Sequence, residues 1–314
     1  MTEGAPPAFA KVALLGIGLI GSSLARAIRR AGLAGHIAGY ANTRETLDKA
    51  RSCGFSDSLH DDPSEAVRDA DLVILATPVG VFGGLAKEIS GSLREGAILS
   101  DVGSVKMAAI RDVGPFVPQH VHFIPAHPIA GTEQSGPEAG FAELFDGRWC
   151  ILTPPAGTDA PSIDRLKSFW ERCGSQVEIM DARHHDLVLA ITSHVPHLIA
   201  YNIVGTAADL ETVTESEVIK YSAGGFRDFT RIAASDPVMW RDVFLNNREA
   251  VLEMLGRFNE DLSALQRAIR WGDGDMLFNL FTRTRAIRRS IVRAGQDSAE
   301  PNFGRRPESG TPTR

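Results

Sequence analysis

Gly16-Ile-Gly18-Leu19-Ile20-Gly21 stands between an apolar run at 12–15 and a helical stretch at 22–31, and nothing else in the chain limits its fold as sharply. Gly16 permits a tight turn out of a strand, Gly18 lets backbone approach a pyrophosphate, and Gly21 lets helix and strand pack closely, while the helix N-terminus attracts the anion. Glycines at such a turn can also serve turn geometry alone. Here the strand, the helix and a following strand at 36–40 are all present, which points to dinucleotide binding.

From residue 11 to about 180, short apolar β-rich runs at 12–15, 36–40, 72–76, 97–100, 121–124 and 150–153 alternate with helical patterns. Such alternation feeds a parallel sheet, and several runs are too continuously apolar to be half exposed. After about 181 the pattern turns to long helices. Leu187, Leu189, Ile191, Val195, Leu198 and Ile199 mark the first, and Trp240, Phe244, Val251, Leu255, Phe258, Leu262, Leu265 and Ile269 continue at spacings of mostly three, four and seven. A last helix is expected over 275–293. The predicted organisation is therefore a flexible N-terminus (1–9), a doubly wound Rossmann-type α/β domain (10–180), an all-α domain (181–295) and a disordered tail (296–314).

The 314 residues suffice for two cored domains, and 43% hydrophobic with 23% charged residues is the composition of a soluble globular protein. A net charge of −6 argues against a polyanion partner, so nucleic acid is not expected. Cys53, Cys150 and Cys173 are too few and too scattered for a disulfide framework or a CxxC metal site, and a reducing cytoplasm suits them. The first residues lack the pattern of an export leader, and no run of about 18 apolar residues occurs, so no membrane association is expected.

An NAD-preferring fold of this type usually places an acidic residue about 20 positions beyond the glycines, on the ribose hydroxyl. This chain reads Tyr40-Ala-Asn42-Thr43-Arg44 there. With no carboxylate to repel a 2′-phosphate and Arg44 able to pair with one, the cofactor is NAD(P)+, with NADP+ favoured. The alternative makes Arg44 a solvated residue that starts the next helix.

Groups placed just after parallel strands face a bound ligand, and here these are Ser100 to Lys106 and His127 to Glu133. Farther on come Ser193-His194-Val-Pro-His197 and, in an expected loop, Gly224-Gly-Phe-Arg227-Asp228-Phe229-Thr-Arg231. Histidines beside a cationic patch suit an anionic substrate that loses a proton and a hydride. His184-His185 and His194/His197 lack the further ligands of a zinc site, so no metal is expected.

The motifs GxGLIGSS, ATPV at 76–79, SDVGSVK at 100–106, HPIAGTE at 127–133, SHVPH at 193–197 and GGFRDFTR at 224–231 together closely resemble the prephenate/arogenate (cyclohexadienyl) dehydrogenases. The resemblance runs in order from about 10 to 295. It implies a Rossmann domain followed by a helical dimerisation domain, a homodimer, and oxidative decarboxylation of a cyclohexadienol in tyrosine biosynthesis. It further implies that His127 is the general base, that Ser104 orients it or the substrate, and that His197 lies beside nicotinamide and substrate. Arg231 would grip the ring carboxylate. Thr132, Glu133 and Asp228 would lie around the entrance, the two carboxylates able to pair with Arg227, and Thr77 and Pro78 would join the cofactor loop. Arginine at 227 and Phe229 depart from some members, at the end of the substrate that separates a keto acid from an amino acid. A β-hydroxyacid dehydrogenase would need a lysine on the first long helix, and 181–210 contains none. A silent dinucleotide sensor would have no need of His127, His197 and Arg231 together.

Overall fold

The computed structural model describes residues 7–214 and 224–293, the side chains of 211–214 and 292–293 excepted. Most of the expected flexible N-terminus and the whole expected disordered tail at 296–314 lie outside the described residues.

The strands β1 (Phe9–Leu15), β2 (Ala34–Tyr40), β3 (Ser58–His60), β4 (Leu72–Leu75), β5 (Ile98–Asp101) and β6 (His122–Phe123) form one sheet in the order β3-β2-β1-β4-β5-β6, and all its pairings are parallel. Alternate residues of β1 and β4 go to opposite faces. Val12, Leu14, Leu72 and Ile74 enter one buried cluster, and Ala13, Leu15, Val73 and Leu75 the other. Both faces are therefore covered, which is why these runs read as continuously apolar. The helices α1 (Leu19–Ala31), α2 (Arg44–Cys53), α3 (Pro63–Val67), α4 (Phe82–Ile89) and α5 (Lys106–Val113) make the crossovers. The strand order reverses between β1 and β4, so the segments after these two strands flank the crevice where such sheets bind ligands.

The run at 150–153 does not extend this sheet, contrary to the expectation. A second sheet holds β7 (Ala126–Pro128), β8 (Trp149–Leu152) and β9 (Gln176–Ile179), with β7 antiparallel to β8 and β8 parallel to β9. His127 thus lies inside a strand rather than in a loop after one. Short polar strands such as β3, β7 and β9 carry too few apolar residues to be read from periodicity.

Beyond α6 (Ala160–Arg172) come α7 (Ala182–Leu189), a π-helical segment Ala190–His194, α8 (Val195–Thr214), α9 (Gly224–Thr230), α10 (Pro237–Asn246), α11 (Arg248–Trp271) and α12 (Gly274–Arg293). The motif at 224–231, expected as a loop, is α9 followed by a 3-10 turn from Arg231 to Ala234. By compactness the chain divides within α11, between Met254 and Leu255. In the smaller unit α11 ends and α12 begins around Gly272, whose φ of 68° lies in the left-handed region. Its apolar side chains are largely open, Trp271 at 79% and Phe278 at 70% exposure among them. In the larger unit Ala182–Leu210 is long and apolar enough to cross a membrane by length and composition; Leu189, Ala190, Val195 and Ala200 are buried, while Leu187, Ile191, Ile203, Val204 and Leu210 are exposed. The absence of an 18-residue apolar run had concealed this stretch, because His184, His185, Asp186, His194 and His197 interrupt it.

Candidate active site

Two glycines of the loop are required by the protein itself. A Cβ on Gly16, whose φ is +104°, would lie 2.6 Å from the Ala76 carbonyl, and one on Gly21 would lie 2.0 Å from the Gly16 oxygen. A Cβ on Gly18 would meet nothing within 4 Å, so protein packing does not explain that glycine. Its openness fits a backbone that must be approached by a phosphate. α1 begins with no side-chain cap and no acidic residue in its first turn, which suits an anion there, and Leu19 and Ile20 are half-buried in that turn. Across the crevice the Thr77 hydroxyl is buried without a hydrogen-bond partner among the described residues, beside exposed Pro78. The loop, the bare helix end and this hydroxyl fit a dinucleotide.

Gly16 N–H donates to the Tyr40 carbonyl at 3.0 Å, which brings the residues after β2 alongside the loop. Asn42, Thr43 and Arg44 are exposed there. Thr43 caps α2 by accepting from Thr46 N–H at 3.2 Å, and Arg44 is the first residue of the helix. No described carboxylate is ion-paired with Arg44.

His127 is 8% exposed, and its Nδ1 is 2.9 Å from Nε2 of His185 on α7. His185 Nδ1 is 2.8 Å from Asp186 Oδ1. That carboxylate also accepts the N–H of Lys106 at 2.8 Å and of Met107 at 2.9 Å, so it supplies from another helix the anionic cap that α5 lacks in its own first turn. Below them the fully buried Lys106 ammonium donates to Asp101 and, at 2.5 Å, to the Ala126 carbonyl, which ties the strand carrying His127 to the end of β5. Burial pushes Asp101 up and Lys106 down, each opposed by the other's charge. Burial drives His127 well below the ordinary imidazole range, with further depression from His185, Lys106 and His194. An imidazole so placed is neutral at pH 7 and able to accept a proton.

Asn247 closes the far side. Its amide donates to the Asp186 carbonyl at 2.8 Å and to Nδ1 of His194 at 3.1 Å, which leaves the proton of His194 on Nε2. Burial lowers His194 to about 4. His197 donates from Nδ1 to the Ser193 carbonyl at 2.8 Å and stacks on Trp240 at 3.7 Å, so its Nε2 is an acceptor. Trp240 is buried in the cluster that holds Val79 and Phe82, as its place on a helical stripe implies, and it also supports His197.

Arg231 stands near enough to His197 to lower its basicity, after burial has done most of that, and it pairs with Glu133 at 3.0 Å. Glu133 thus has Arg231 as an ion-pair partner, while Arg227 and Asp228 are both exposed on α9. Thr132 is exposed and accepts from Gln134 N–H at 3.2 Å. Ser104 is half-buried between β5 and α5; the N-cap of α5 is Val105, and the hydrogen-bond partner of His127 is His185 rather than Ser104. His127, His197, Arg231 and Glu133 thus lie in one linked set with Lys106 of the SDVGSVK motif, and His185, Asp186 and Asn247 are the members to which the sequence assigned no role. The signal for the first two is a His-Asp pair in the long, largely apolar stretch at 182–210.

A model of the prephenate dehydrogenase nucleotide-binding domain matches residues 24–179, and one of the prephenate dehydrogenase dimerization domain matches 181–283. A cyclohexadienyl dehydrogenase of Zymomonas mobilis is 42% identical over 283 residues, covering 90% of this chain and 96% of the relative. A prephenate dehydrogenase of Bacillus subtilis is 31% identical over 93% of this chain and 78% of its own length. Among solved structures, prephenate dehydrogenase from A. aeolicus in complex with hydroxyphenyl propionate and NAD+ superposes with a TM-score of 0.83 at 37% identity, covering 90% of this chain and 98% of that one. Synechocystis arogenate dehydrogenase gives 0.74 at 27% identity, over 90% and 100%.

Proposed function

Because the chain belongs to the prephenate/arogenate dehydrogenase family of NAD(P)-dependent oxidoreductases, we propose that it oxidatively decarboxylates prephenate, arogenate or both, with His127 as general base. One observation carries the assignment of the base. His127 has Nδ1 tied to His185, while Nε2 has no protein partner among the described residues and is not among the sealed polar atoms. A neutral, anchored imidazole with one nitrogen left over suits removal of a hydroxyl proton.

Gly16, Gly18, Gly21 and Thr77, with Leu19, Ile20 and Pro78 lining the loop, would hold a dinucleotide by its pyrophosphate, and its oxidised nicotinamide would supply the hydride acceptor. Arg231 takes the ring carboxylate in bidentate fashion, which a planar guanidinium suits, and Glu133 holds that guanidinium until the substrate arrives. His197 offers an acceptor beside the ring. Ser104, Thr132, Arg227 and Asp228 complete the substrate end, where Arg227 and Phe229 set the preference between a keto acid and an amino acid. Arg44 favours NADP+ while permitting NAD+. The open apolar surfaces of Ala182–Leu210 and of α12 are the faces of a homodimer built from 181–295, and the activity belongs in the cytoplasm. Sedimentation at a mass near that of one chain, independent of concentration, would remove the dimer.

The reading is tested by the absorbance of reduced nicotinamide on mixing the protein, either cofactor and either cyclohexadienol. Production of reduced cofactor with CO₂ is the expected result, and none with any of the four combinations overturns it.

A further inference from the structure

We propose that Asp186, His185 and His127 form a proton relay that takes the hydroxyl proton of the substrate, holds it while carbon dioxide leaves, and returns it to the phenol oxygen. This inference rests on His127 being the base, as proposed above, and makes His185 and Asp186 positioning residues.

The balance of the reaction demands such a store. When the carbinol carbon gives up its hydride to the oxidised cofactor, the O–H bond breaks and a carbonyl forms. The bond from ring to carboxylate then breaks, its electron pair enters the ring, and the carbonyl oxygen becomes a phenolate. The product is a phenol, so that oxygen regains one proton and none is released overall. Between the two events the proton needs a holder, and a buried one can return it to the same oxygen.

Hydrogen-bond direction shows how the chain provides one. Asp186 accepts two backbone N–H groups and so faces His185 as an acceptor, which makes His185 Nδ1 the donor. Nε2 of His185 is then an acceptor, Nδ1 of His127 carries its proton, and the basic atom of His127 is Nε2. A proton arriving at Nε2 turns His127 into an imidazolium whose Nδ1–H points at His185, and passage of that second proton moves the charge next to the Asp186 carboxylate. His185 is fully buried and Asp186 nearly so. The groups facing the relay set its capacity: Lys106, paired with Asp101, and His194 face His127, and Lys106, Asp101 and Asp186 face His185. With one positive charge already on the two imidazoles, a second excess proton is disfavoured by like-charge repulsion, so the relay carries one.

The first measurement uses the wild-type protein: nitrogen NMR of labelled histidines should find both His127 and His185 with the proton on Nδ1, and an Nε2–H tautomer at either overturns the relay. The second uses His185→Gln, whose amide can still accept from His127 but cannot pass a proton on. Its kcat should fall by about 10²-fold, with KM and cofactor Kd within about threefold of wild type. In Asp186→Asn, where the carboxylate no longer favours a protonated His127, the acidic limb of kcat/KM should move to lower pH, and kcat should fall as when a catalytic histidine loses its orienting carboxylate. Full activity in His185→Gln alongside an inactive His127→Asn overturns the relay and leaves the base in place. Full activity in His127→Asn removes the base itself.

Discussion

The crevice after β1 and the polar set around α7 and α8 are the two halves of the proposed site, made by different means. The first is backbone: glycines, bare N–H groups and a helix end, with side chains notable for being missing. The second is side chain: four histidines, two of the carboxylates and one asparagine, each fixed by a partner far away in sequence. A binding surface made of backbone is specified by local spacing, so it tolerates change anywhere except at its few glycines. A network of buried polar groups has no such reserve, because removing one member leaves another unsatisfied.

The largest expected effect breaks the second half alone. His127→Asn should cut turnover by roughly 10² to 10⁴-fold and leave cofactor affinity unchanged, as read by the absorbance of reduced cofactor and by fluorescence quenching on cofactor binding. A loss of cofactor affinity of similar size would mean that the halves are not separable. The first half can be divided within itself. Gly21→Ala should destabilise the fold by about 3 kcal/mol or more, since its Cβ meets the Gly16 oxygen at 2.0 Å, whereas Gly18→Ala should melt like wild type yet bind cofactor at least about tenfold more weakly. Thermal unfolding with and without cofactor separates the two.

Arg231→Ala should raise KM more than it lowers kcat, by about 2 kcal/mol, a moderate figure because 34% of the side chain is exposed. An unmoved KM for both cyclohexadienols would take the ring carboxylate away from Arg231. Smaller again is Arg44→Ala, expected to weaken NADP+ by roughly five to thirtyfold and NAD+ hardly at all. Equal change in both would make Arg44 a solvated start to α2. Acid stability sharpens the contrast from another side. His127, His185, His194 and His197 are all held below the ordinary imidazole range by burial, so the unfolded chain binds protons that the folded one refuses. Stability contributed by their neutrality is present above about 6.5 and is lost as pH falls below it, for His194 down to about 4. Denaturant midpoints between pH 7 and 5 should drop, and His194→Asn should reduce the drop.

What was legible in the sequence follows the same division. The glycine loop, the strands of the large sheet other than β3 and the last helix could be read because each is coded by neighbours within a dozen residues. β7 could not, since three residues have no periodicity, and α9 was masked by two glycines that normally end helices. His127, His197 and Arg231 were found only through a resemblance. Their supports were not found at all: His185 lies 58 residues from His127, and Asp186 lies 80 from Lys106, distances over which only the folded chain makes neighbours. Glu133 pairs with Arg231 across 98 residues, a partner likewise out of reach of local reading.

The π-helical segment Ala190–His194 separates His185 from His197. Such a segment amounts to one residue more than an α-helix needs, and each helical residue turns the chain by about 100°. Deleting a single residue there would leave two good helices and a sound core, yet swing His197 off the Trp240 face. Among relatives of this chain, a one-residue gap between 189 and 195 therefore marks a change of chemistry rather than a harmless length difference.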